Sequence, residues 1–262
     1  MHSDKAAVTL LFQALSEKRG GPLLWDASIF GNGYPPSPGP FREWSLDARR
    51  SAAPANRWLT DTIVALGSES VLVGDTTLSD TLLRTTRADR GGNHGSLVSI
   101  ARSLLADVRE DHLRGTLLET WTYRDEDRNH SLRWDPGEHR QYALRGSNPS
   151  SDRTKGTQWG ANRLALEALP FFPTWPSSLS RLDTTAFVRR GRGDFRMRWP
   201  MWETPLSVAE IRPLLTHPAM IQLGTNRGTF DALGVTEVYE SRRHRQEYYR
   251  NFTPGEPQLG LL

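Results

Sequence analysis

The stretch over residues 133–176 constrains the fold most, because it contains clear turn, loop and helix signals together with many polar residues. Its sequence is RWDPGEHRQYALRGSNPSSDRTKGTQWGANRLALEALPFFPTWP. A Trp-Asp-Pro set at 134–136 is typical of a turn. A polar loop over 147–157 follows, and apolar spacing then predicts a compact helix over 160–169. Pro170 ends this helix, and aromatic residues come after it. We therefore expect a turn, a loop and a helix in close succession.

The end of that loop and the first turn of the helix form a candidate recognition site. Arg153 and Lys155 bring cations next to helix N–H groups that have no intrahelical partner, which suits a phosphate group. We expect Asn162 and Arg163 to complete the site, with Asn162 either pairing with a base edge or capping the loop. Trp159 either stacks on a base or anchors the helix in the core. The position in the core is favoured, because Trp is buried on average. Lys155 and Arg163 are predicted to be exposed, so their substitution is expected to leave stability nearly unchanged.

Composition limits the class of protein. With 262 residues and 37% hydrophobic content, the chain suffices for one large domain or two small ones. It has no cysteine, which excludes disulfides and thiolate metal sites and allows a reducing compartment. No apolar run approaches the ~20 residues of a membrane span, and the N-terminal segment lacks a signal-peptide pattern. These features predict a soluble cytoplasmic protein without membrane contact.

Arginine supplies most of the positive charge, since only three of the 33 basic residues are Lys. Codon bias in a GC-rich genome explains much of this excess, whereas recognition of phosphates and base edges would require the arginines to cluster. One cluster, made of Arg84, Arg87 and Arg90, leads into Gly-Gly-Asn-His-Gly at 91–95 and a helix capped by Ser96. This segment is either an anion site or an ordinary flexible loop before a helix. It is not a Walker loop, because no Lys-Ser/Thr pair follows the last glycine.

A second cluster forms a predicted basic hairpin. Two strands are expected over 186–188 and 195–199, and in the second strand alternation separates an apolar back from an arginine face. The arginines expected to contact phosphates are Arg189, Arg190, Arg192, Arg196 and Arg198.

The predicted fold is α+β, either one mixed domain or two packed subdomains, a helix-rich part over 1–115 and a strand–helix part over 116–262. The expected helices cover 5–19, 58–66, 97–108, 160–169 and 205–215, the last opening with a capping box from Ser207 to Glu210. Further strands are expected over 117–123, 131–134 and 235–240. Residues 32–40 are expected to be irregular, residues 41–46 alternate, and 71–87 is either extended or helical.

Metal and catalytic motifs are weak. His130, Asp135 and His139 supply three candidate ligands within ten residues, a grouping that polar segments often contain by chance. The chain has no HExxH motif and no GxSxG motif. We therefore predict no catalytic residue, no metal and no cofactor.

Several segments resemble proteins of type I-G (formerly I-U) CRISPR systems, both large-subunit-like proteins and extensions of the helicase-nuclease. The resemblance lies in Trp-Asp-Pro at 134–136, Tyr-Ala-Leu-Arg at 142–145, Gly-Ala-Asn-Arg-Leu-Ala at 160–165, Trp-Pro-Met-Trp-Glu at 199–203 and Arg-Asn-Phe-Thr-Pro at 250–254. The N-terminal segment departs from the family pattern, which leaves the subfamily open.

This resemblance implies a non-catalytic subunit of an RNA-guided antiviral complex that contacts guide RNA and target DNA. In such complexes base pairing reads the sequence while protein cations hold the backbones. Other complex subunits and the helicase-nuclease are the expected protein partners. The alternative is an adaptor that docks the helicase-nuclease without touching nucleic acid.

Overall fold

A computed structural model describes most of the chain. The described residues are 2–17, 35, 37–53, 57–74, 76–85, 96–126, 128–138, 156–177, 181–191, 193–223, 227–246 and 249–261. Within them the architecture is α+β, as predicted, with helices followed by antiparallel sheets.

The helices up to residue 167 form one layer around a shared core. They are α1 (His2–Glu17), α2 (Pro38–Arg50), α3 (Arg57–Leu66), α4 (Leu97–Asp107), α5 (Glu110–Leu118) and α6 (Trp159–Glu167), followed by a 3₁₀ turn (Leu169–Phe171). Their core includes Val8, Ile63, Ile100, Leu113 and Leu166, all buried. This core draws residues from both sides of position 115, and the predicted division of the chain there stays a prediction.

Antiparallel sheets form the rest of the fold. Two small hairpins pair β1 (Gly67–Val73) with β2 (Thr77–Asp80) and β3 (Thr174–Ser177) with β4 (Arg181–Thr184). The main sheet contains β5 (Phe187–Gly191), β6 (Asp194–Trp202), β7 (Val235–Gln246), β8 (Tyr249–Phe252) and β9 (Glu256–Pro257). Its order is β5–β6–β7–β8, with β9 also paired to β7.

The main sheet has helices on both of its faces. Phe187 and Met197 pack against the core of the helical layer. A second, smaller core lies between β7 and the helices α7 (Val208–Thr216), α8 (Pro218–Ile221) and α9 (Arg227–Ala232). Its buried residues include Leu214, Met220, Phe230 and Val238. Side chains of β6 that point in opposite directions therefore enter different environments.

Capping residues and apolar spacing in the sequence predicted several helices correctly. Ser96 caps α4 by accepting a hydrogen bond from the Ser99 N–H at 3.1 Å. The capping box at α7 is also confirmed, because Ser207 and Glu210 bond to each other's backbone N–H groups. The predicted helices around α1, α3 and α6, and the strands at β5, β6 and β7, are present. The ambiguous segment from 71 is extended over β1 and β2 where the structure describes it.

The expected irregular segment over 32–40 is wrong from Pro38 onward, and so is the alternation expected after it, because α2 begins at Pro38. Proline is tolerated in a first helical turn, where its missing N–H is not needed. Phe41, Ser45 and Ala48 are the buried positions, and their spacing is helical.

Two predicted strands are also wrong. Part of the segment 117–123 belongs to α5, which begins with Glu110 and Asp111 in its first turn. The segment 131–134 is irregular because side chains take its backbone hydrogen bonds. The Leu132 N–H donates to Asn162 Oδ1 at 2.7 Å, and the Leu132 carbonyl accepts from Thr85 Oγ1 at 2.6 Å.

Candidate functional site

An aromatic cavity of about 440 Å³ lies where the helical layer meets the main sheet. Its volume is in the range of small-ligand sites. The aromatic residues in its wall are Trp121, Trp134, Phe172, Trp199 and Phe252. Asp135, Ser241 and Thr253 contribute polar groups. The cavity therefore offers flat apolar surfaces with a few hydrogen-bonding groups.

Four distant segments converge on the aromatic cavity. They are 134–136, the α6 residues Ala161, Asn162 and Ala165, Trp199 of β6, and 252–253 at the end of β8. Each overlaps one of the segments on which the sequence-based family prediction rests. The structure thus brings scattered pieces of sequence to one place.

The aromatic side chains of the wall are held in place by specific contacts. Trp134 Nε1 donates to the Leu83 carbonyl at 2.6 Å. Trp199 stacks on Tyr239 with ring centroids 5.9 Å apart and an interplanar angle of 15°. Gly255 permits this arrangement, because a Cβ at that position would lie 2.8 Å from the Trp199 ring. The cavity wall is therefore preorganised rather than loosely packed.

Asp135 is oriented by two donors. Its Oδ1 accepts from the Gly137 N–H at 2.7 Å, and its Oδ2 accepts from the Tyr123 hydroxyl at 2.8 Å. Burial, together with the hydrogen bond to Asp135, raises the pKa of Tyr123 well above its usual range, so the phenol stays a donor. Gly137 is required here, because a Cβ would come within 2.5 Å of the Tyr123 hydroxyl.

Behind the cavity wall, Glu138 is buried in a polar cluster. The Ser131 and Thr157 hydroxyls and the Asn162 amide donate to its carboxyl group, the amide at 2.5 Å. Burial raises the pKa of Glu138, although these three hydrogen bonds oppose the shift. The cluster fixes residues 156–162 against 131–138 and so positions one side of the cavity.

The structure resolves the alternatives for Asn162. Its Oδ1 accepts from Leu132, and its Nδ2 also donates to Thr157 Oγ1 at 3.0 Å and to the Gln158 carbonyl at 3.1 Å. Its amide is therefore committed to internal bonds, which excludes the predicted contact with a base edge. Trp159 packs against the core, and its ring stacks on His130 at 3.9 Å, which agrees with the favoured core interpretation.

Arg163 is not the exposed cation that the sequence predicted. Its side chain is 1% exposed and donates to Glu167 Oε1 at 2.6 Å and to the Leu15 carbonyl at 3.4 Å. The prediction fails because Arg163 lies on the face of α6 that α1 and the other helices cover. A phosphate group cannot reach this guanidinium without opening the core.

The arginine face of the basic hairpin is mostly internal as well. Arg196 and Arg198 do share one face of β6, as the alternation predicted, but both donate to Glu240 on β7. Arg198 is buried because α8 covers this face, and the Met220 and Ile221 carbonyls accept from its Nη1 at 2.7 and 2.8 Å. The predicted contact of Arg198 with the phosphate backbone of a nucleic acid is therefore excluded, because so large a chain cannot reach this buried side chain.

The exposed cations of the hairpin lie nearer its tip. Arg189 is half-buried, with its guanidinium 4.7 Å from the centroid of the Phe195 ring. Arg190 is exposed and forms no ion pair with the described residues.

Arg84, which belongs to the other predicted arginine cluster, is buried and paired with Asp80, and its carbonyl accepts from Arg243 Nη2 at 3.1 Å. The other candidates lie outside the described residues: Arg87, Arg90, Arg153, Lys155 and Arg192.

The aromatic cavity itself was not predicted from the sequence, in which the aromatic residues after α6 were noted but not assigned to a site. The available signal was the recurrence of aromatic residues in the segments 134–136, 199–203 and 250–254.

Metal binding and membrane insertion receive no support from the described residues. No group of three His, Asp or Glu side chains among them is arranged to hold a metal ion. His130 Nε2 instead lies 2.8 Å from Asp107 Oδ2, and His139 is outside the described residues. No described helix has both the length and the apolar character needed to cross a bilayer.

Comparisons with known proteins find no matching family model, no matching curated protein and no matching solved structure.

Proposed function

We propose that this protein is a non-catalytic nucleic-acid-binding subunit of a type I CRISPR RNA-guided complex. The observation that carries the proposal is the convergence of the family-like segments 134–136, 160–165, 199–203 and 250–254 on one aromatic cavity. Scattered segments that share a resemblance and also share a cavity indicate a common function rather than separate packing roles.

The cavity suits an unstacked base of a single strand. Aromatic side chains stack on bases of any sequence, with about 1–3 kcal/mol per base. Trp121, Trp134 and Trp199 supply such faces, while Asp135 and Thr253 supply hydrogen-bonding groups for base edges. Trp121 is 41% exposed, so one of these faces is accessible from solvent.

The tip of the basic hairpin suits the backbone of the same strand. Arg190 is exposed and free of ion pairs among the described residues, and Arg189 lies beside it. Strand β6 runs from Asp194 at the tip to Trp199 in the cavity wall. At ~3.3 Å per residue these two points are roughly 17 Å apart, a distance that a few nucleotides span. In this proposal Arg189 and Arg190 hold phosphates while the cavity holds a base.

Titration of fluorescent oligonucleotides with the purified chain tests the proposal. Single-stranded RNA, single-stranded DNA and the matching duplex are compared at several salt concentrations. We expect single strands to bind most tightly, with an affinity that falls as salt rises. Dissociation constants above about 10⁻⁴ M for all three at low salt would overturn the proposal.

A protein-docking adaptor is the second candidate, and the apolar character of the aromatic cavity favours it. An apolar side chain of a partner subunit would fill such a cavity as well as a base. A stoichiometric complex with the helicase-nuclease that survives high salt, together with no oligonucleotide binding, would favour the adaptor.

A further inference from the structure

A second cavity lies on the opposite face of β6. It has a volume of about 320 Å³ and lies between the turn that joins β4 to β5 and helices α7 and α8. We call it the arginine cavity, because Arg198 is the one charged residue among its described lining residues. Those residues are Trp175, Thr185, Ala186, Phe187, Val188, Arg198, Leu215, Thr216, Met220 and Ile221.

Arg198 carries a buried hydrogen-bond donor that the fold does not use. Its Nε donates to Glu240 Oε2 and its Nη1 donates to two carbonyls of α8. Its Nη2 is also buried but has no hydrogen-bond partner among the described residues. A buried donor without an acceptor loses its hydrogen bond to water without a replacement, and the penalty is larger when the group is charged. A ligand oxygen at Nη2 would remove this penalty.

The charge around Arg198 is only partly balanced. Glu240 is shared between Arg198 and Arg196, and Asp194 is shared between Arg196 and Arg242. Burial lowers the pKa of Arg198, and the nearby positive charges of Arg190 and Arg196 act in the same direction. Three of these arginines share two carboxylates, and Arg190 adds a further positive charge, so an additional anion is favoured at this place.

The turn that forms one wall of the arginine cavity is strained. Ala186 has a φ of 66°, a left-handed conformation that residues with a Cβ seldom adopt. Its carbonyl accepts from the Arg198 N–H at 2.8 Å. Strain of this kind concentrates at binding sites, where the surrounding structure holds it.

The lining of the cavity selects the class of ligand. Thr185 Oγ1 donates to the Pro173 carbonyl at 3.0 Å, and Thr216 Oγ1 donates to the Pro213 carbonyl at 3.2 Å. These hydroxyl protons are therefore occupied, and Arg198 Nη2 is the remaining buried side-chain donor among the described lining residues, since Trp175, whose indole N–H is also a donor, is exposed. A phosphate group, with three strong acceptor oxygens, would leave most of them without partners. A single carboxylate attached to an apolar group matches one buried donor surrounded by apolar walls.

We propose that the arginine cavity binds a monocarboxylate carried by an apolar group, with one carboxylate oxygen accepting from Arg198 Nη2. Trp175 and Ile221 are 43% and 59% exposed and mark the entrance. The carboxylate belongs either to a free small acid or to the C-terminus of a peptide with an apolar last residue. This site is independent of the aromatic cavity and of the proposed function.

Ligand-observed NMR with the full chain tests this site with two pairs of probes. Phenylacetate is compared with phenylacetamide, and acetyl-glycyl-phenylalanine is compared with its C-terminal amide. We expect the acid of at least one pair to bind at least about fivefold more tightly than its amide, since only the acid brings a negative charge to the buried guanidinium. Tighter binding by phenylacetate indicates a free acid, and tighter binding by the peptide acid indicates a chain terminus. Equal binding of acid and amide in both pairs, or no binding below about 1 mM, would overturn the proposal.

Two variants at the entrance that match each other in shape locate the site and leave the Arg198 side chain itself unchanged. Ile221→Glu adds a negative charge at the rim, and Ile221→Gln adds the same shape without charge. The Glu variant is expected to bind the acid about two- to fivefold more weakly than the Gln variant, because partly exposed charges interact by less than about 1 kcal/mol. Equal affinity in the two variants would show that the acid binds elsewhere and would overturn the assignment.

Discussion

Arg198 and Glu240 face each other on neighbouring strands of the main sheet, with Arg198 Nε 2.7 Å from Glu240 Oε2. Both side chains are buried, and Arg196 Nη1 donates to the other carboxylate oxygen at 2.6 Å. Burial would raise the pKa of Glu240, but the hydrogen bonds from the two arginines outweigh it and lower that pKa. The arginine face of the hairpin is thus an internal ion-pair network that joins β6 to β7.

Removal of Glu240 is expected to destabilise the protein strongly. In Glu240→Ala the buried Arg198 keeps its charge but loses its partner, and such a loss typically costs about 3–5 kcal/mol. Glu256→Ala, an exposed position on β9, serves as the control and should change stability by less than about 0.5 kcal/mol. Urea unfolding measures the free energy of unfolding of both variants and of the parent. Equal stabilities of the two variants would contradict the role assigned to Glu240.

Arg163→Ala is expected to lower the free energy of unfolding by about 2–5 kcal/mol, because it removes a fully buried side chain from the core beside Leu15 and breaks the ion pair with Glu167. This expectation reverses the sequence-based one, in which Arg163 was exposed. Arg190→Ala, at an exposed position, should change stability by less than about 0.5 kcal/mol. Urea unfolding monitored by Trp fluorescence separates the two cases. A small effect at Arg163 would mean that its ion pair contributes little.

Glu138 is expected to make stability depend on pH. Its pKa is raised in the fold by burial, so the folded state binds this proton more tightly than the unfolded chain does. The group therefore favours the fold below the ordinary Glu value of about 4.3, and this contribution is lost as pH rises through the raised pKa. Glu138→Gln removes the titration. The variant should gain stability relative to the parent as pH rises from about 4 to 8.

Urea unfolding at several pH values measures this difference. Glu119→Gln, at an exposed position, is the control and should follow the parent at every pH. A constant difference between Glu138→Gln and the parent across the pH range would show that Glu138 does not titrate differently in the fold.

Arg190→Ala is expected to weaken binding of single-stranded oligonucleotides whatever their sequence. Loss of one phosphate contact should reduce the slope of log affinity against log salt by about 0.7 for a single strand. Arg50→Ala removes an exposed arginine from α2, where it pairs with Asp47, and should leave the slope unchanged. Fluorescence anisotropy at four salt concentrations gives the slopes. Identical slopes for Arg190→Ala and the parent would remove the hairpin tip from the proposed interface.

Trp121→Ala is expected to weaken the same binding by about 1–3 kcal/mol without flattening the salt dependence, because stacking on a base releases no counterions. Leu118→Ala, at the end of α5, is the matched control, since Leu118 is 49% exposed but does not line the aromatic cavity. Anisotropy titrations at four salt concentrations compare the affinities and the salt slopes of the two variants. Equal affinity of both variants would argue that bases do not enter the cavity.

The sequence by itself determined the features whose causes lie within a few residues of each other. Ser96 and Ser207 mark the starts of α4 and α7, because a capping side chain reaches N–H groups only three residues ahead. The alternation along β6 correctly separated Met197 and Trp199 from Arg196 and Arg198, because side-chain direction in a strand has a period of two.

Only the tertiary structure decided which of these faces meets solvent. The arginine face of β6 is buried because α8, about 20 residues later in the chain, supplies carbonyl acceptors for Arg198. Arg163 is internal because Leu15, 148 residues away, belongs to the helix that covers it. The aromatic cavity likewise combines residues from 83 to 255. Turns and caps follow from local geometry, whereas burial depends on which distant element packs against a face, and a local pattern contains no information about that partner.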